Sequence, residues 1–189
     1  MTFSWNAALL DQLTFAWEHQ FLPRLEGLGD EEYLWEPVPK CWSVRTGPDG
    51  DWKQDLDWPE PAPEPPPFTT IAWRLAHIAT AVFGERVSNH FGDGSFRGES
   101  VPWSGKAVDA MAIVTAEYTR WRDGVAALGE EGLFRPCGPA EGPFSNDPFL
   151  MLVLHINREF LHHAAEVMLL RDLYRNSAAK EFPALNSTR

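Results

Sequence analysis

Residues 147–174, DPFLMLVLHINREFLHHAAEVMLLRDLY, form a long apolar run without an internal glycine, and this run limits most strongly what the chain can fold into. Such a segment reads as a buried helix. It nevertheless carries three of the six histidines, His155, His162 and His163, together with Glu159 and Glu166. Stepped at about 100° per residue from His155, Glu159 falls at roughly 40° and His163 at roughly 80°, within the apolar sector of Leu152, Ile156, Val167 and Leu170. His155 and His162 lie at the margin of that sector. A carboxylate turned toward a core needs a partner, because unpaired buried charge is very costly. A metal ion is one such partner, and it also accounts for the histidine four residues on.

The rest of the chain supplies helices for this one to pack against. Ser4 is an N-cap candidate for a first helix over residues 5–28, with Leu9, Leu13, Ala16 and Trp17 at helical spacing and a kink expected at Pro23. Thr69 and Thr70 can cap a second helix, TTIAWRLAHIATAVFGERVSNHFG, closed by Gly92 and Gly94. It carries His77, with Trp73 and Ala81 one turn away and Gly84 beyond. A third helix over residues 105–128, with Ser104 as its cap, aligns Met111, Val114, Tyr118, Trp121 and Val125 on one face. Asp147 and Pro148 form a cap and first-turn pair for the fourth. No strand-like alternation of useful length and no internal repeat is present. The expectation is an all-α four-helix bundle in a single domain, residues 1–176, followed by a flexible tail, 177–189. The connector at 36–67 is rich in Pro, Gly, Asp and Trp; a loop of that length inside a domain is expected to be a lid or a pocket wall.

Composition removes several functions. Twenty-seven acidic residues against 16 basic ones, for a formal net charge of −11, oppose any grip on a phosphate backbone, so nucleic acid is not an expected partner. The two cysteines, Cys41 and Cys137, form no CxxC pair and read as structural, which fits a reducing, cytoplasmic setting. The first residues lack a basic segment followed by an apolar run, so no secretory signal is expected, and no apolar stretch is long enough for a membrane span.

The chemistry proposed from the residues is a divalent metal held by His77 on helix two and by Glu159 and His163 on helix four. Residues four apart lie one turn above each other and can chelate a single ion. Two imidazoles and a carboxylate leave coordination positions open, as in catalytic sites, and suit zinc, iron or nickel. The metal-binding HExxH motif is absent, so no general base follows from the local pattern and the catalytic residues are left unassigned. In the competing reading these are core polar residues, with Glu159 paired to a basic group such as Arg74 and the histidines hydrogen-bonded locally. His155 stands as an alternative ligand, while His19 and His90 read as surface residues.

The phrases TTIAWRLAHI and HINREFLHHAAEVMLLRDLY resemble the DinB-like superfamily, metal-binding four-helix bundles, over most of the chain. The family's usual triad is one histidine on helix two and two histidines spaced by four on the last helix. His77 and His163 match two of these positions; Glu159 stands at the third. In that respect the sequence resembles the metal-binding domain of the mycothiol-dependent maleylpyruvate isomerase branch, where a glutamate fills this place. That branch carries an additional C-terminal domain not found in these residues, so its specific isomerase activity is not carried over. The resemblance implies a thiol-dependent transferase or isomerase acting on a small-molecule substrate, with a metal-activated low-molecular-weight thiol such as mycothiol. A metal-dependent hydrolase and a non-catalytic, stress-related binding protein are the alternatives, and homodimerisation through helix faces is compatible with each.

Overall fold

The computed structural model describes residues 3–55, 61 and 63–178. Four helical rods form the body, and two of them contain a widened turn. The first rod begins with α1 (Trp5–Phe15), capped by Ser4, whose hydroxyl accepts from the Ala7 N–H at 3.1 Å. It continues through a π turn (Ala16–Phe21) into α2 (Leu22–Leu25). The Leu22 N–H reaches back to the Trp17 carbonyl, so the turn widens just before Pro23, whose ring would crowd a regular α turn. The expected kink is thus a π turn, and the rod ends at Leu25 rather than near residue 28.

A short helix, α3 (Asp30–Leu34), leads to the long connector. Contrary to the expectation of no strands, part of that connector is an antiparallel hairpin, β1 (Val44–Thr46) and β2 (Trp52–Gln54), registered Val44 to Gln54 and Thr46 to Trp52. The signal was the Gly47-Pro48-Asp49-Gly50 turn sequence between two short runs. Three residues per strand are too few to show an alternation. Residues 56–60 and 62 of the connector lie outside the described residues.

The second rod is α4 (Ile71–His77), a π turn (Ile78–Gly84) and α5 (Glu85–Phe91), with Thr70 as the cap, accepting from the Trp73 N–H at 3.2 Å. The third is α6 (Ala107–Leu133), interrupted where Gly129 takes a φ of 63°. Its first N–H is capped by Asp30, at 2.9 Å from the Ala107 nitrogen. Ser104, the expected cap, instead accepts from the Lys106 N–H and donates to Asp109. The fourth rod, α7 (Phe149–Ala178), runs two residues past the expected domain boundary at 176, and the rest of the expected tail lies outside the described residues.

One aromatic cluster takes a ring from each rod. Trp17 stacks on Tyr118 at 3.9 Å, and Phe160 lies 5.6 Å from both Trp17 and Phe83. Close approach of α5 and α6 depends on Gly124, where an added Cβ would come within 2.3 Å of the Phe91 ring. At the far end of α7, the fully buried Arg171 forms a fork on Glu32 of α3, with contacts of 2.8 and 3.3 Å, and also donates to the Arg24 carbonyl. Removing one partner of such a pair costs about 3–5 kcal/mol, because the other charge stays buried.

Candidate metal centre

His77 is the last residue of α4, directly before the π turn, a kind of irregularity that is frequent at functional sites. Its ring is buried between two others: Trp73 stacks on it at 5.1 Å with planes 8° apart, and His163 of α7 meets it edge to face at 4.6 Å. The hairpin fixes this wall. Asp55 accepts from the Ser43 N–H and the Arg45 guanidinium through its carboxylate, and from the Trp73 indole N–H, at 3.2 Å, through its carbonyl. Ser43 also accepts from the Thr70 hydroxyl at 2.9 Å. The long connector therefore positions the aromatic face on which His77 rests.

Around His163 the two sides of the ring differ. Nδ1 lies 2.7 Å from Glu166 Oε2 and 3.3 Å from Arg74 Nη1, and Glu166 is ion-paired with Arg74, whose Nε stands 3.1 Å from the same oxygen. A guanidinium only donates and an ionised carboxylate only accepts, so the two contacts compete for Nδ1; the shorter one, to Glu166, assigns the proton to Nδ1 and leaves the Nε2 lone pair for other contacts. Burial is the main force holding the His163 pKa below the ordinary histidine value, which keeps the ring neutral. Burial works to raise Glu166, but the bond from His163 and the Arg74 charge outweigh it and keep this carboxylate ionised.

Glu159 approaches the other nitrogen, its Oε2 standing 3.8 Å from His163 Nε2. Its Oε1 is held by Arg158 at 3.1 Å, and His155 Nδ1 lies 3.5 Å from it. The helical wheel placed Glu159 facing the core; the structure puts it at the rim, with its side chain 30 % exposed. The pairing of Glu159 with Arg74 weighed from the sequence does not form, since Arg74 goes to Glu166. The sequence reading named Glu166 in the cluster but gave it no role, and the available signal was spacing: it lies three residues after His163, and Arg74 three residues before His77. The exposed His162 also meets Glu166, at 3.3 Å. Among the described residues, His162, His163 and Glu166 are the set whose ligand atoms all lie within 4.8 Å of one another, so this group could also hold a metal. His77 meets His163 through ring contact and stands outside that set.

His19 is exposed, as expected. His90 is not a surface residue: its side chain is 4 % exposed and bonds Glu141 at 2.9 Å. Both cysteines are buried and unbridged; Cys41 donates to the Val38 carbonyl, and burial pushes the Cys137 thiol above its ordinary pKa, which disfavours a nucleophilic role. A cavity of about 1010 Å³ opens along the second rod, between the hairpin and the connector that follows α5. Thr80 and Ala81, three and four residues past His77, line it with Phe96, Trp103, Arg86 and Arg97.

An all-α bundle with imidazoles and carboxylates gathered between its second and fourth rods defines a class of helical proteins able to hold a metal. The chain belongs to the DinB superfamily, whose family model matches residues 12–167, a span that contains His77, Glu159, His163 and Glu166. Metal binding is the property of that superfamily which bears on this cluster. Neither the curated proteins nor the solved structures searched give a match. No helix among the described residues is long and apolar enough to cross a membrane.

Proposed function

We propose that His77, Glu159 and His163 hold one divalent cation, and that the protein is a metal-dependent transferase or isomerase working with a small thiol such as mycothiol. The observation that supports this most is the bond at His163. With Glu166 taking the Nδ1 proton at 2.7 Å, the Nε2 lone pair is left on the side of Glu159, whose Oε2 is 3.8 Å away, and the His77 ring meets the His163 ring at 4.6 Å. A ligating histidine characteristically gives its other N–H to a carboxylate in this way. The donors also suit the group: two ligand atoms on one tetrahedral ion stand roughly 3.4 Å apart, and the 3.8 Å between His163 and Glu159 needs only a small adjustment. Two imidazoles and a carboxylate favour zinc, with iron and nickel in the same ligand class.

When bound, such a cation lowers the pKa of a thiol toward neutrality. The chain's own residues do the rest. Arg74 keeps Glu166 ionised, Glu166 fixes the tautomer of His163, and Trp73, anchored by Asp55, holds the plane of His77. The cavity beside Thr80 and Ala81 would receive the electrophilic substrate, Phe96 and Trp103 offering apolar walls and Arg86 and Arg97 offering charge.

Chelator-stripped protein titrated with zinc in a calorimeter is expected to bind one equivalent, and His77→Ala to weaken that binding by more than about a hundredfold. Unchanged uptake by this variant would sink the centre. Turnover of an electrophile that requires added thiol supports the transferase or isomerase reading; equal turnover without thiol would replace it with hydrolysis by an activated water.

A further inference from the structure

The fourth rod is apolar on its outer side as well as its inner one. Met151, Leu154, Leu161, Leu169 and Leu173 are 51, 45, 43, 68 and 46 % exposed, and Arg158, Ala165 and Asp172 are exposed on the same side. Scattered exposed leucines are ordinary. A continuous row along one helix marks an interaction surface. Its chemistry is also ordered about Ala165: Leu161 and Leu169 stand four residues to either side, Arg158 and Asp172 seven. Same-face neighbours at those offsets occur in every helix. A leucine matched by a leucine, and a cation matched by an anion, belong to this sequence.

We infer that two copies of the chain pair antiparallel along α7, about a two-fold axis at Ala165. In a two-fold contact each pairing occurs twice. Leu161 of one copy packs on the partner's Leu169, Arg158 faces the partner's Asp172, and the small Ala165 side chains meet at the axis and let the helices come close. The overlap from Leu154 to Asn176 is roughly 33 Å long at 1.5 Å per residue. Both charges can be shared. The Arg158 side chain is 70 % exposed and bonds its helical neighbours His155 and Glu159, while Asp172, 53 % exposed, accepts from Arg24. Such exposed contacts are weak and exchange readily. A neutral row in a chain of formal net charge −11 is also where a second copy meets the least repulsion. A second copy fits better than an unrelated partner, because a different sequence has no reason to repeat this order in reverse. The inference does not depend on the metal centre.

Sedimentation velocity on the full chain is expected to show a species of twice the 21.4 kDa mass. Leu161→Glu and Leu169→Glu should each give monomer, with circular dichroism verifying that the helices persist. Arg158→Asp sets like charges against each other and should raise the dissociation constant by roughly tenfold, as should Asp172→Arg. Combining the two exchanges the charges and should restore dimerisation to within about threefold of the wild type. A wild-type chain that stays monomeric up to its solubility limit overturns the inference, whether the row is open or covered by residues 179–189. A dimer that survives both glutamate variants puts the interface elsewhere, and a charge exchange without rescue overturns the register; that last test stands even if a glutamate variant fails to fold.

Discussion

His163 and His90 each sit in a trio of imidazole, carboxylate and guanidinium, and the trios are nearly alike in geometry. His163 bonds Glu166 at 2.7 Å, with Arg74 on that carboxylate at 3.1 Å; His90 bonds Glu141 at 2.9 Å, with Arg86 at 3.3 Å. Both carboxylates are held below the ordinary glutamate range. For Glu141 the bond from His90 is the largest cause, and for Glu166 the opposing effect of burial is outweighed by His163 and Arg74. What differs is the company beyond the trio. His90 is edge-on to Phe149 at 5.0 Å, and its carboxylate belongs to the 3₁₀ turn Pro139–Phe144, so this trio ties a connector to α5. His163 instead has the His77 ring at 4.6 Å and, 3.8 Å from its second nitrogen, an oxygen of Glu159. A histidine paired with a carboxylate is therefore a brace by itself. It becomes a binding centre when further donors face the second nitrogen.

The largest effect that could break this distinction is on zinc affinity. His163→Ala should weaken binding by more than about a hundredfold, while His90→Ala should leave it within about twofold, both read by calorimetry. Equal losses would mean that the metal does not discriminate between the trios. Next in size is the carboxylate behind each ring: Glu166→Gln should reduce zinc affinity by about 10–100-fold, whereas Glu141→Gln should not change it. The order reverses for metal-free stability. His90→Ala leaves the enclosed Glu141 with a bond unmade and should cost about 1–3 kcal/mol in urea unfolding; a cost near zero would show that this trio is not a brace.

The two trios were unequally legible in the sequence, for physical reasons. The periodicity of residues 147–174 shows which positions of α7 turn inward, and the buried Leu152, Ile156, Val167 and Leu170 follow it. The same arithmetic cannot resolve the edge of a helix face. It gave Glu159 the same inward aspect as His163, whereas one is 30 % exposed and the other lies against a neighbouring helix. The role of Glu166 depends on Arg74, a contact across 92 positions of sequence that no local pattern reports. His90 was read as a surface residue for the same reason, since its cover comes from Glu141 in a Gly- and Pro-rich connector with no periodicity. The all-α bundle was readable because four long segments carry their own caps and faces. The hairpin was not, because three-residue strands held by Trp42 and Asp55 depend on tertiary contacts.

The smallest expected effect separates the trios most finely. Glu141 and Glu166 both have folded pKa values lowered from the ordinary 4.5, so each contributes stability that is present above that value and lost as pH falls through the folded value. In metal-free protein the stability gap between wild type and Glu141→Gln, and likewise Glu166→Gln, should shrink by up to about 1 kcal/mol as the pH is lowered below the usual glutamate range. On this measure the trios look the same, because both are carboxylates held ionised by a histidine and an arginine. Saturating zinc at neutral pH should part them. A ligand bound only by the folded state adds stability in proportion to the logarithm of its affinity. Zinc should therefore widen the Glu166→Gln gap and leave the Glu141→Gln gap where it was. Were zinc to leave both gaps untouched, His163 and Glu166 would be a second brace, and the free nitrogen facing Glu159 would need another explanation.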